Sequence, residues 1–221
     1  MRFKDIISKD EIILYHGSRG GLKGTIHPAS RERCDFGKGF YMGSNPEQAK
    51  GLVVEDSAPK IYTLKVNTTG LSEENVLFLD GLDWVYTILA YREKSADFNK
   101  LPLAKECKEK CESFDFIVGC IADDRMNEAM RRFIDNGLTD KGLLACLESI
   151  DYGFQIVAKT QDACNRIEVL SERDIFGKEA DDIKNYVIEK RLESRNIVSE
   201  MARRHIRDGL YLTELIEKSG S

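Results

Sequence analysis

Two stretches near the N-terminus hold residue types that could bind a small polar ligand. The first, residues 14–19, reads Leu-Tyr-His-Gly-Ser-Arg and overlaps an apolar run, Ile12 to His16, that predicts a strand. The imidazole of His16 could bind a sugar hydroxyl, and the backbone of Gly17 could pair with an amide. A partly buried structural histidine is the alternative interpretation, so this stretch alone leaves the function open.

The second stretch, residues 35–49, reads Asp-Phe-Gly-Lys-Gly-Phe-Tyr-Met-Gly-Ser-Asn-Pro-Glu-Gln-Ala. Two glycines precede a short β-prone run, and Asn45, Pro46 and Gln48 then suit the N-cap, first and third positions of a helix. The pattern predicts a glycine loop, a strand and a capped helix. Glycines let a backbone approach a ligand closely, and the N–H groups of a helix N-terminus favour a phosphate or a polarised carbonyl. A strand-to-helix turn that binds nothing is the alternative.

The composition indicates a soluble globular chain. The sequence has 221 residues, 42% hydrophobic and 32% charged, which fits one domain or one domain with an appendage. The net charge of −5 argues against strong non-specific nucleic-acid binding, though not against a local basic patch. No apolar run is long enough to span a membrane, and residues 1–5 lack the apolar core of a signal peptide. We therefore expect a cytoplasmic protein with no membrane partner.

Six cysteines are scattered along the chain without a Cys-x-x-Cys pair. Cys107 and Cys111 share a predicted helix face, but none of the three histidines stands at a metal-ligand spacing from them. The pattern predicts reduced, structural thiols in a cytosolic protein and no metal site.

The order of periodic segments indicates an α+β class, with two small β-sheets, helices at their side and a helical tail. Gly137 and Gly209 are each expected to end a helix. Beyond the two opening stretches, strands are predicted over residues 60–67, 76–79, 114–122, 152–159 and 166–170. Helices are predicted over residues 82–93, 95–113, 127–136 and 139–149, and within the charged tail at 178–218.

Residues 15–19 followed by residues 36–41 resemble the first two NAD-site motifs of the poly(ADP-ribose) polymerase branch of the ADP-ribosyltransferase superfamily. The chain is more similar still to a bacterial domain family of unknown function placed in that superfamily. That family carries the same Tyr-His-Gly-Ser and Asp-Phe-Gly-x-Gly-Phe-Tyr blocks, and the resemblance covers about residues 11–170. It implies an ADP-ribosyltransferase-like split β-sheet core with flanking helices. We assign residues 1–175 to this domain and residues 176–221 to a helical C-terminal extension.

The resemblance also implies roles for individual residues, with NAD as the substrate. His16 would bind the hydroxyls of the adenine-side ribose, and Tyr41 would stack on the nicotinamide ring. Gly17 would pair through its backbone with the nicotinamide amide, and Ser18 would contact the ribose or the amide. The residues expected around the cofactor are Tyr15, Gly17, Ser18, Arg31, Phe36, Gly37, Gly39, Phe40 and Gln48.

The third family position is a glutamate that binds the nicotinamide-ribose hydroxyl in the polymerising members. Residues 152–157, Tyr-Gly-Phe-Gln-Ile-Val, resemble that strand and carry Gln155 instead. A glutamine can bond the hydroxyl but brings no charge, which puts chain elongation in doubt. Asp124, with Asp123 beside it, is a candidate substitute carboxylate, and Asp115 is a second. A helix cap is the alternative role for the aspartate pair, and an ordinary strand residue is the alternative for Gln155.

The glycine-rich connection over residues 17–35 holds Arg19, Arg31 and Arg33. One of these arginines could meet a pyrophosphate, or they could be solvated. A basic cluster in the tail could dock a partner protein or a nucleic acid, or form a solvated helix face. That cluster consists of Arg203, Arg204, His205 and Arg207.

Three functions remain open from the sequence. The first is an NAD-dependent mono-ADP-ribosyltransferase, a bacterial toxin-type effector that modifies a protein or nucleic acid and is held in check by a partner protein. The second is a binding module for NAD or ADP-ribose that has lost the chemistry. The third is a relative that processes a phosphorylated RNA end, which would need a more basic cleft.

Overall fold

The computed structural model describes residues 6–92, 98–122, 124–149 and 153–219. Within these ranges the strands are Glu11–Ser18 (β1), Phe40–Gly43 (β2), Lys60–Asn67 (β3), Val76–Phe78 (β4), Phe116–Cys120 (β5), Phe154–Ala158 (β6) and Ile167–Asp174 (β7). The helices are Pro46–Gly51 (α1), Gly81–Tyr91 (α2), Pro102–Glu112 (α3), Asp124–Ile134 (α4), Asp140–Ser149 (α5), Gln161–Cys164 (α6), Gly177–Arg204 (α7) and Leu212–Ser219 (α8). The α+β class is confirmed.

The described strands form one seven-stranded sheet in the order β4-β5-β6-β2-β1-β3-β7, and β4 and β5 are its parallel pair. We expected two small sheets instead. β1 and β2 meet at a single register pair, Tyr15 with Gly43, whereas β1 pairs with β3 from Glu11 to Ser18. The single pair is enough to join the two halves. Both sequence motifs include a residue of this pair.

Strand pleating places apolar side chains of the central strands β5 and β6 in two cores. Ile117 and Val157 belong to the larger core under the helices, while Phe116, Val118 and Ile156 face the core on the other side of the sheet. Because both faces are covered, these strands read as continuous apolar runs in the sequence. A third, smaller core between α1, β3 and α7 contains Ala49, Val53, Val54, Ile61, Ile175 and Ile183.

The two C-terminal helices pack onto the larger core. Val198 and Met201 of α7 and Leu212 of α8 are buried there. The predicted end of a helix at Gly209 is wrong, because α7 ends at Arg204. The chain turns early onto α5, where Thr139 Oγ1 donates to the His205 carbonyl over 3.3 Å. The proposed boundary between residues 175 and 176 falls just before α7 and stays a prediction.

Several other predicted boundaries also shift, most of all those of one helix and of the last strand. The helix expected over residues 95–113 covers only 102–112, after a 3-10 turn at Phe98–Lys100, and residues 95–97 lie outside the described ranges. The last strand continues to Asp174 instead of ending at Leu170, since Lys60 on β3 pairs with Glu172 and Asp174.

All six cysteines are free thiols, as predicted. None of the helices in the described ranges combines the length and the apolar character that a membrane crossing requires.

Candidate functional site

An open cavity of about 470 Å³ lies where β1 and β2 diverge. His16, Tyr41 and Gln155, which come from three distant parts of the chain, all line it. The walls are β1, one side of α1, the segment 30–35 and the ends of β5 and β6. This volume is typical of a small-molecule site.

His16 offers one acceptor nitrogen. Its Nδ1 lies 2.7 Å from the carbonyl oxygen of Tyr41, which can only accept, so Nδ1 carries a proton and donates it. Burial lowers the pKa of His16 from its usual 6.5, against the smaller opposing effect of the bond to Tyr41. The imidazole is therefore neutral at pH 7, with Nε2 as an acceptor. The ring stacks on Phe40, with centroids 4.6 Å apart, which fixes its plane.

Tyr41 is held by its own glycine loop. Its hydroxyl donates to the Gly37 carbonyl over 2.7 Å and accepts from the Phe36 N–H over 2.9 Å. Burial and the nearby charge of Asp35 raise the pKa of this phenol far above its usual range. The ring is thus neutral and rigid at the cavity wall, as a stacking surface for a flat ligand should be.

Gly37 and Gly39 of the second motif contact protein and do not line the cavity, whereas Gly43 does line it. Gly37 has a φ of +75°, and a Cβ there would lie 2.5 Å from the Tyr91 ring. A Cβ on Gly39 would lie 2.4 Å from the Val157 side chain. The sequence suggested close approach of this loop to a ligand. In the structure the glycines instead allow the tight loop that fixes Tyr41.

Gly17 brings β1 against α1. A Cβ at this position would lie 2.1 Å from the carbonyl oxygen of Ala49 and 3.2 Å from the Val53 side chain. Only a glycine permits this contact, and its backbone lines the cavity. The pairing of this backbone with an amide of a ligand stays a prediction.

The N-terminus of α1 is closed to ligands, contrary to the sequence expectation. The Asn45 Oδ1 atom accepts from the N–H groups of Glu47 and Gln48, over 3.0 and 3.3 Å. Pro46, in the first turn, has no N–H to offer. The helix faces the cavity with its side, through Gln48 and the residues that follow it.

Gln155 is 7% exposed and belongs to a network across the cavity floor. Its Nε2 donates to Asp35 Oδ2 over 3.2 Å and to the Cys120 carbonyl over 3.0 Å. Arg92, at the C-terminal end of α2, holds the other oxygen of Asp35 with Nε at 3.0 Å and Nη2 at 2.5 Å. The same guanidinium also donates to the Ala122 carbonyl and to Asn127.

A family model described as "Protein of unknown function (DUF3990)" matches residues 12–169. The chain belongs to this family. No curated protein and no solved structure matches it. The matched range begins within β1 and ends within β7, so the DUF3990 region contains every strand that builds the cavity.

Arginines surround the mouth of the DUF3990 cavity. Arg19, Arg31 and Arg33 are exposed and line it, and Arg19 lies 3.4 Å from Asp56. Guanidinium groups suit phosphate oxygens, so a basic rim is present although the whole chain is acidic. Of these three residues, only Arg31 was among the expected cofactor contacts.

Several expected site residues lie elsewhere in the DUF3990 fold. Ser18 pairs with Lys60 in the β1–β3 ladder outside the cavity lining. Phe36 is fully buried in the larger core, and Phe40 supports His16 from outside the lining. Tyr15 and Gln48 do line the cavity.

Of the proposed substitute carboxylates, only the side chain of Asp115 lies within the described residues. Asp115 accepts from the Thr160 hydroxyl over 2.6 Å, away from the cavity, so it serves the turn before α6. Asp124 begins α4, and neither its side chain nor Asp123 lies within what the structure describes. Sequence reasoning missed Asp35 and Arg92. The available signal was a carboxylate that opens the glycine motif and an arginine at a predicted helix end.

Together the described residues offer two hydrogen-bond acceptors, His16 Nε2 and the amide oxygen of Gln155, with the flat ring of Tyr41 and a cationic rim. Such a set fits a ligand with hydroxyl groups, a ring and phosphates, which is the chemistry of a nucleotide. No group of metal-ligating side chains is present among the described residues.

Proposed function

We propose that this chain is an NAD-dependent mono-ADP-ribosyltransferase. The main support is that His16, Tyr41 and Gln155 line one cavity although they are far apart in the sequence. The order of the two motifs resembles the superfamily that runs this reaction, and the shared cavity is what such a role requires. The finer fold assignment, an ADP-ribosyltransferase-like split sheet, belongs to the same proposal.

Each feature of the cavity would contact a different part of NAD. His16 Nε2 accepts from a hydroxyl of the adenine-side ribose, and the Gly17 backbone pairs with the nicotinamide amide. Tyr41 stacks on the pyridine ring. Of the rim arginines, Arg31 is exposed beside the mouth and would bind the pyrophosphate. Gln155 accepts from a hydroxyl of the nicotinamide-side ribose.

In the reaction, the bond between the anomeric carbon and the pyridinium nitrogen breaks, and its electron pair leaves with neutral nicotinamide. Positive charge develops on the sugar as this bond lengthens. Fixed acceptors next to the sugar stabilise that charge, and a rigid site orients the reactants. The acceptor nucleophile then bonds to the anomeric carbon, and its proton passes to solvent at the open mouth.

The test follows label from the adenylate half of NAD into macromolecules of a bacterial lysate, together with nicotinamide release. His16→Ala should lower both by at least about tenfold, the cost of a lost buried hydrogen bond. His27→Ala is the matched control, since His27 is exposed and bonds only the nearby Thr25 carbonyl over 2.8 Å among the described residues. Intact NAD and no label with the wild-type protein would contradict the proposal.

A catalytically weak module that binds NAD or ADP-ribose is the second candidate. The uncharged Gln155 favours it, because a glutamine stabilises a sugar cation less than a carboxylate does. Calorimetry that shows ADP-ribose binding together with no nicotinamide release would select this candidate. The bacterial toxin role and the inhibitory partner rest on the family resemblance alone. The acceptor, a protein or a nucleic acid, belongs to the transferase proposal only.

A further inference from the structure

We propose that Asp35 is a positioning residue that fixes the amide of Gln155 so that the cavity presents a hydrogen-bond acceptor to a ligand hydroxyl. The inference rests on the proposed function and names the kind of ligand group that Gln155 recognises. It also gives a role to a carboxylate that lies 120 positions from Gln155 in the sequence.

The surroundings of Gln155 decide which way its amide points. Asp35 Oδ2 and the Cys120 carbonyl oxygen can only accept, and both lie within hydrogen-bond distance of Nε2. The Cys120 carbonyl is itself fixed by the buried indole of Trp84, whose Nε1 donates to it over 3.0 Å. Both amide hydrogens are thus used, and Oε1 is the amide atom available to a ligand in the cavity.

Asp35 is itself fixed from its other side. Arg92 donates to Oδ1 through two nitrogens, and the side chain of Asp35 is 16% exposed. The Arg92 guanidinium also reaches the Ala122 carbonyl after β5, over 3.1 Å, and Asn127 of α4, over 2.7 Å. The carboxylate is therefore held at one place and offers its second oxygen to Gln155.

A carboxylate is required here because both neighbours of Asp35 are donors. Asp35 has two acceptor oxygens, one for Arg92 and one for Gln155. An asparagine has only one, so its oxygen would stay with Arg92 and its NH₂ group would face Nε2 of Gln155. That clash of donors is relieved in one of two ways. The Gln155 amide can move away from position 35, which leaves Oε1 no longer fixed toward the cavity, or it can turn over, which gives up the bond to the Cys120 carbonyl and presents the NH₂ group to the cavity. A hydroxyl that needs an acceptor then loses its partner.

The experiment is a double-mutant cycle on kcat/KM for nicotinamide release, built from Asp35→Asn, Gln155→Ala and the double variant. We expect Asp35→Asn to lower kcat/KM about tenfold in the wild-type background and less than about twofold in the Gln155→Ala background. Asp174→Asn, which removes a carboxylate paired with Lys60 at the sheet edge, should change neither. Values are normalised to the folded fraction.

Equal losses from Asp35→Asn in both backgrounds would show a general structural role and overturn the proposal. If the wild-type protein binds ADP-ribose without turnover, the double-mutant cycle is measured on the Kd for ADP-ribose. A loss confined to the background with Gln155 supports the proposal, and equal losses in both backgrounds overturn it. If the wild-type protein neither turns over NAD nor binds ADP-ribose, the proposed function fails separately.

In that case the side-chain amide resonances of Gln155 in the free protein test whether Asp35 holds this amide. They should shift in Asp35→Asn and stay unchanged in Asp174→Asn, and unchanged resonances in Asp35→Asn would overturn it.

Discussion

At the scale of single residues, the site depends on His16 being neutral and fixed. The Tyr41 carbonyl accepts a hydrogen bond from the protonated Nδ1, and burial disfavours a second proton on the ring. A lowered pKa means that the folded state prefers the neutral imidazole. This preference stabilises the fold above about pH 6.5 and is lost as the pH falls below that value.

The protonation state of His16 predicts how ligand binding depends on pH. The Kd for ADP-ribose should stay constant between about pH 8 and 6.5 and then rise on acidification, because protonated Nε2 can no longer accept a hydroxyl proton. Calorimetry across this range measures the effect, and ¹⁵N chemical shifts of the imidazole report the pKa directly. Binding that tightens as the pH falls would contradict this assignment of the tautomer.

Gly17 predicts a second effect at the residue scale. Gly17→Ala should destabilise the fold by about 2 kcal/mol and abolish ligand binding, because the new methyl group overlaps the Ala49 carbonyl and pushes α1 from β1. Gly20→Ala is the matched control, since a Cβ there meets nothing within 4 Å. Urea unfolding and ADP-ribose calorimetry measure both variants. A stable Gly17→Ala protein with normal binding would show that this close contact is not needed.

At the scale of elements, an ion-pair network ties three elements together beside the cavity. Lys50 of α1 lies 3.1 Å from Glu179 of α7, and Arg173 of β7 holds the same carboxylate through two nitrogens at 2.7 Å. The bonds to Arg173 and Lys50 lower the pKa of Glu179 to about 2. The network keeps the side of α1 against the cavity.

Glu179→Gln should destabilise the fold by about 1 kcal/mol at pH 7, a value reduced for the partial exposure of this carboxylate. A lowered carboxyl pKa gives stability that is present above pH 4.5 and lost as the pH falls toward 2. The difference between wild type and variant should therefore shrink over that range, as measured by urea unfolding. Glu193→Gln removes a pair with Lys190 on the same helix and should have little effect. A difference independent of pH would exclude the ion pair as its cause.

At the scale of the whole molecule, the C-terminal helices complete the core that the family region begins. Val198 is fully buried among residues of that core, although it lies outside residues 12–169. We therefore expect the family region and the C-terminal helices to unfold together.

Val198→Ala should lower the free energy of unfolding by about 2 kcal/mol, with a single transition kept for the whole chain. Ile188→Ala on the same helix should change it little, because Ile188 is 55% exposed. Tryptophan fluorescence reports the larger core, since Trp84 is buried there, and circular dichroism reports the helices. Two separate transitions by these probes would show that α7 and α8 form an independent unit.

The sequence predicted what depends on local pattern. Alternation over residues 60–67 gave β3 with the same bounds, and Asn45 was recognised as the cap that it is. The Asp35–Arg92 pair was not predictable, because the two residues lie 57 positions apart and no helix or strand periodicity links them. The single sheet was missed for the same reason, since one register pair between β1 and β2 leaves no trace in either strand.

The most direct test of the central claim is a crystal structure of the protein soaked with NAD. The account predicts the nicotinamide amide at the Gly17 backbone, its ring against Tyr41, and ribose hydroxyls on His16 Nε2 and Gln155 Oε1. NAD bound elsewhere, or an empty cavity at saturating NAD, would contradict it.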